Sequence, residues 1–153
     1  MTLLAPITRM PDLVPLIERF PDLTVVVDHM ADCSVDRPEE LNKLIALHRF
    51  PRVYVKISHT WSLSKKGYPW LDAQTFVKRL YDSFGPQRLM WATDWPIAKE
   101  RATYRQRLTV VRDEMNFLNA TDKEWMLSKT VEQVWPFPQS ADNKSQTAIP
   151  TKR

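Results

Sequence analysis

The chain has 153 residues, of which 43% are hydrophobic and 26% charged, and its 22 Lys and Arg against 18 Asp and Glu give a formal net charge of +4. That is enough apolar content for the core of one domain, and the basic residues alternate with acids instead of forming a stripe, which argues against a nucleic-acid partner. One cysteine, Cys33, excludes an internal disulfide, and two glycines, Gly67 and Gly85, exclude glycine-rich phosphate loops.

No apolar stretch is long enough to span a bilayer, and the first residues lack the charged-then-apolar pattern of a secretory signal. The expectation is a cytoplasmic protein without a membrane partner, in which Cys33 is a small loop residue.

Residues 1–8 form a short apolar lead, read as the end of a strand or its exit loop. Residues 10–20 read as a helix with Pro11 in its first turn and Leu13, Leu16, Ile17 and Phe20 as its apolar stripe. The run Val25, Val26, Val27 is apolar on both faces, as a buried parallel strand requires, and it ends at Asp28 and His29. A second helix is expected over 36–50, with Asp36 as its cap and Leu41, Leu44 and Ile45 inward. Its His48 belongs to packing or surface.

Residues 53–58 read as the next strand, carrying Lys56 in an apolar frame and ending at Ser58 and His59. The segment 59–71 is a long loop with Trp61, Tyr68 and Trp70, the composition of a lid or binding loop. Asp72 is expected to cap a helix carrying Phe76, Val77, Leu80, Tyr81 and Phe84, which Gly85 and Pro86 end. The stretch 88–97 then forms a buried strand with Asp94 at its exit and Pro96 closing off any continuation. An acid there can act as general base, bind a metal, cap the next helix or pair with an Arg. A charged amphipathic helix over 100–118 and a last helix opened by a capping box at 121–124 follow, and 139–153 is polar and expected to be disordered.

Strands separated by helices in this rhythm predict βα units with parallel strands and all carboxyl ends on one edge. His29, Ser58 or His59, and Asp94 would then converge on a single rim.

The motifs 25–30 (Val-Val-Val-Asp-His-Met), 53–58 (Val-Tyr-Val-Lys-Ile-Ser) and 89–96 (Leu-Met-Trp-Ala-Thr-Asp-Trp-Pro) resemble the last three strands of the amidohydrolase-related family. The Asp28-His29-Met30 motif is most similar to its 2-pyrone-4,6-dicarboxylate lactonase branch. Residues 134–138 also resemble that family's closing segment. The resemblance covers about residues 5–138. It implies an α/β fold: about three strands with their helices, the C-terminal part of a TIM-like (β/α)₈ barrel. A small open doubly wound sheet is the rival architecture. The domain would occupy 1–138.

The resemblance implies that His29 is like the family histidine at the sixth strand, and Asp94 like the aspartate at the eighth that activates water. His59, Ser58 and Trp95 would contact a small-molecule substrate. Ala31 and Ala92 stand where the family usually has Gly, and His59 where it usually has a small residue. The family's His-x-His pair is missing, since the three histidines are His29, His48 and His59. A divalent metal, zinc in the family, is therefore expected on His29 and Asp94 only if the missing strands are supplied; no cofactor is otherwise implied.

The expected activity is hydrolysis, with water attacking a lactone, cyclic ester or related carboxylated substrate and Asp94 as base. The alternative is a truncated non-catalytic remnant, or one chain of a split barrel that self-associates or joins a chain carrying the remaining strands. In either case Val25, Val27, Met90 and Ala92 are expected on the barrel-facing side.

Overall fold

The computed structural model describes residues 1–137. It contains four parallel strands in sequence order, β1 (Thr2–Leu3), β2 (Val25–Val27), β3 (Val53–Ile57) and β4 (Leu89–Trp91). For β1 the sequence leaves strand end and exit loop open, because two residues carry no periodicity. Pairing defines it: Thr2 and Leu3 lie opposite Val26 and Val27. The tail 139–153, expected to be disordered, lies outside the described residues. Among the described residues no helix is long and apolar enough to cross a membrane.

The helical connections are more broken than periodicity suggested. The first is a 3₁₀ stretch, Ile7–Asp12, running into α1 (Leu13–Arg19). In the second, 3₁₀ turns flank a single α-helical turn, α2 (Asn42–Ile45). Asp36 does not cap it; its carboxylate pairs with Lys65 at 2.9 Å. The expected loop 59–71 begins with a short helix, α3 (Thr60–Leu63), and its Trp61 and Trp70 are buried, so they are packing residues first.

α4 (Leu71–Phe84) buries Ala73, Phe76, Val77, Leu80 and Phe84 along one side. Gly85 ends it at φ 73°, a conformation suited to glycine, and donates its N–H to the Tyr81 carbonyl at 3.0 Å. Asp72 lies inside the first turn, not at the cap, and accepts from the backbone N–H groups of Lys65 and Ala73. α5 (Tyr104–Thr109) starts at a Thr103–Gln106 capping box and passes into a π-turn at Val110–Glu114. α6 (Ala120–Glu124) opens on a capping box at Asn119 and Asp122, two residues before the expected one, and a π-turn leads to α7 (Thr130–Val134). Asn at the cap won because its side chain reaches the third backbone N–H, that of Asp122, at 2.9 Å.

Helices cover one face of the sheet. Val25, Val27, Val53, Val55, Ile57 and Leu89 point into it, against Met10, Leu13, Ile17, Leu44, Val77 and Leu80. Val26, Tyr54 and Met90 point to the other face, where Val134 packs on them and Gln133 donates to the Tyr54 hydroxyl at 3.3 Å. Val25 and Val27 thus lie on the helix-covered side, opposite to the one expected, whereas Met90 lies on the expected side. An all-apolar run gives no phase, and the pairing register sets it. The three valines of β2 are fully buried, each stabilising the fold by roughly 1.5–3 kcal/mol.

Candidate functional site

Each of β2, β3 and β4 ends by delivering a titratable side chain to the same edge, and each does so from a left-handed backbone. His29 follows β2 with φ 52°, His59 follows β3 with φ 60°, and Asp94 follows β4 with φ 54°. After β2 the left-handed conformation continues through Met30, Ala31 and Asp32, with φ 52°, 55° and 47°. Non-glycine residues adopt it at a cost of roughly 1–2 kcal/mol each, and such outliers cluster where a site fixes side-chain direction. Here the sharp turn at each strand end aims the side chain across the rim.

The resulting contacts are close. His59 Nε2 lies 2.6 Å from Asp94 Oδ2, and His29 Nε2 lies 4.0 Å from Asp94 Oδ1. His29 Nδ1 is 2.7 Å from Ser58 Oγ, and His59 Nδ1 is 3.3 Å from Asp32 Oδ1. The imidazoles stack in parallel, with Trp61 edge-on to the His59 ring at 5.2 Å. Of the expected site residues, His29, Ser58, His59 and Asp94 therefore meet. Trp95 does not join them: it is exposed at the rim, edge to face with Tyr104 and above the Arg107 guanidinium.

The surroundings of His29 favour its neutral form. Burial, and after it the adjacent His59 ring, push the His29 imidazole below its ordinary value, while Asp94, Asp28 and Asp32 pull it up more weakly. Beneath the rim Lys56 pairs with Asp28 at 2.7 Å, so the lone lysine of β3 balances the acid next to His29.

Arg107 and Asp32 were absent from the expected site. Arg107 is buried and donates to five backbone carbonyls, those of Thr93, Asp94, Ile97, Ala98 and Ala102, at 2.5–3.2 Å. It holds the loop carrying Asp94 while leaving the Asp94 carboxylate to His59, which excludes the simple Asp–Arg ion pair considered above. A faint signal existed: Arg107 stands four residues before Val111 and eight before Met115, on a row that is otherwise buried. For Asp32 there was none. Cys33 lies in the loop after the turns that follow β2, as expected, and is fully buried, which pushes the thiol up to about 11.

One atom each from His29, His59 and Asp94 lies within 4.8 Å of the others. Two imidazoles and a carboxylate are the donor set of three-ligand zinc centres, so these residues fit a divalent metal.

Fold and rim together define part of a parallel (β/α) barrel whose carboxyl edge carries histidines and an aspartate. The chain belongs to the amidohydrolase family, whose model, described as Amidohydrolase, matches residues 4–137. An L-fucono-1,5-lactonase of Burkholderia multivorans is 34% identical over 62 residues, 40% of this chain and 21% of that protein. The L-fucono-1,5-lactonase of Burkholderia ambifaria is 33% identical over 49 residues, 32% of this chain and 17% of the relative.

Among solved structures, an amidohydrolase from Burkholderia multivorans with bound zinc superposes with a TM-score of 0.75 at 23% identity, over 86% of this chain and 50% of that one. A Pseudomonas putida protein assigned as a 2-pyrone-4,6-dicarboxylic acid hydrolase gives 0.70 at 22% identity, over 87% and 50%. At these identities the likeness establishes the fold. The chain spans about half the length of these structures and a smaller part of the curated lactonases.

Proposed function

We propose that this chain carries the catalytic rim of a hydrolase that opens a lactone, cyclic ester or related carboxylated small molecule. The observation that carries the reading is the Asp94 carboxylate at the carboxyl edge of β4, with His59 Nε2 at 2.6 Å and His29 Nε2 at 4.0 Å. Lactonase relatives and the family membership support the same class of reaction.

In this reading Asp94 takes the proton from the attacking water. His29, neutral and held at Nδ1 by Ser58, orients the substrate carbonyl or polarises it as negative charge develops on its oxygen. In the metal-free protein Ser58 donates its O–H to Nδ1 and the His29 hydrogen sits on Nε2, facing the rim; with a metal on Nε2 the tautomer is the reverse, Nδ1–H donating to Ser58 Oγ. Arg107 keeps the Asp94 loop in place, and Trp95 offers an exposed ring at the pocket mouth. A bound divalent metal would supply Lewis-acid polarisation and a more acidic water. The remaining wall of the pocket belongs to the other strands of the barrel, which these four strands do not include.

The test is hydrolysis of a panel of sugar lactones and pyrone dicarboxylates, by this chain alone and with the complementary strands. Asp94→Asn should lower turnover roughly a hundredfold or more in the competent assembly. Unchanged turnover in Asp94→Asn would remove Asp94 from the role of base.

A further inference from the structure

We infer that His29, His59 and Asp94 form a self-contained site for one divalent transition-metal ion, complete within these four strands and without a His-x-His pair. His59 is the added element. It reaches the rim from β3, between the strands that carry His29 and Asp94, and turns an incomplete pair of ligands into a set of three.

The arrangement around the three supports a metal better than a simple hydrogen-bonded cluster. Each histidine is anchored at Nδ1 by an oxygen, Ser58 Oγ at 2.7 Å for His29 and Asp32 Oδ1 at 3.3 Å for His59. Each therefore turns Nε2 toward the carboxylate of Asp94, at 4.0 and 2.6 Å. A histidine that gives one ring nitrogen to an oxygen acceptor and offers the other to a common point is the orientation seen around protein-bound zinc. Spacing agrees as well: bonds of about 2.0–2.2 Å in tetrahedral geometry put ligand atoms roughly 3.3 Å apart, between the two separations found here. The charge balance is favourable, because Asp94 and Asp32 are the carboxylates closest to the histidines once Lys56 has paired with Asp28. Three protein ligands leave a coordination position open toward the rim.

The site is tested by binding, without any substrate, so the outcome is separate from that of the hydrolase reading. The purified chain, stripped with chelator and dialysed, is titrated with zinc chloride by calorimetry and followed by NMR of its histidine side chains. Having only three histidines, it provides an internal reference in His48, which lies exposed on a 3₁₀ turn with Nδ1 near the Ile45 carbonyl. One zinc per chain is expected, with the ring signals of His29 and His59 moving and that of His48 still. His59→Gln should weaken binding at least tenfold, and Asp32→Asn, which leaves all three ligands in place, by about 10–100-fold. The proposal is overturned if no zinc binds, if all three histidines respond alike, or if His59→Gln, shown folded by circular dichroism, binds as the parent does. Should His59→Gln not fold, the NMR pattern of the parent decides. Zinc binding without hydrolysis would leave this site standing and the hydrolase reading fallen; hydrolysis undiminished in chelator would do the reverse.

Discussion

The His29 and His59 rings stack with centroids 3.6 Å apart and planes within 6° of parallel. They stand on neighbouring strands, whose spacing of about 4.8 Å sets how near two residues at the same level come. The left-handed turn at each brings the rings closer than the backbones. The same proximity means that charging His29, already opposed by its burial, is opposed further by the His59 ring, while Asp94, Asp28 and Asp32 favour the charge.

For the metal-free protein this predicts a stability that falls on acidification. A histidine whose folded pKa lies below its ordinary 6.5 binds fewer protons folded than unfolded. His29 therefore contributes full stability above that value and loses it as pH drops through the unfolded and toward the folded value. Urea denaturation between about pH 5 and 8 should show the decline. His29→Gln should flatten it, and an equally steep profile in the variant would show that the other titrating groups are responsible.

Arg107 should be indispensable to the Asp94 loop. Arg107→Met leaves five carbonyls without their donor and should cost roughly 3 kcal/mol or more. Arg107→Lys keeps the charge but not the planar fork and should recover less than half of that. Full recovery by lysine in chemical denaturation would show that charge, not multiple donation, holds the loop.

Ala31 has φ 55° and is fully buried. A β-branched residue tolerates that conformation poorly, so Ala31→Val should lose about 2 kcal/mol or more. Ala31→Gly relaxes the backbone while giving up a buried methyl and should stay within about 1 kcal/mol of the parent. Thermal melts that place the two variants together would contradict the left-handed turn after β2.

Cys33 should resist alkylation in the folded state. With the thiol buried and pushed up to about 11, the reactive thiolate is scarce at pH 8. Iodoacetamide should label it at least a hundredfold more slowly in buffer than in 6 M guanidinium. Comparable rates would mean that the segment 31–37 opens readily.

Much of the site was legible because its signals are local. An apolar run ending in Asp28-His29, another ending in Ser58-His59 and a third leading to Asp94 state in their own residues that strands end in polar chemistry, and parallel βα order puts those ends on one edge. The helix of Phe76, Val77 and Leu80 and its stop at Gly85 were equally plain, since both depend on neighbours within a turn. The caps at Asp36 and Asp72 were misplaced because an acid near a helix start has several backbone N–H groups to choose from, and tertiary pairing with Lys65 decided one of them.

Only the tertiary structure settled the rest. β1 exists through its pairing with β2, and the inward side of β2 follows from a register that three identical valines cannot encode. That His59 reaches Asp94, Asp32 reaches His59 and Arg107 clamps the loop depends on separations of 35, 27 and up to 14 residues. The sequence determined which chemical groups arrive at the rim, because strand ends are set by neighbouring residues. Which of them touch was decided by strand register and by left-handed turns at non-glycine residues, conformations that local propensity disfavours and only the packed fold can hold.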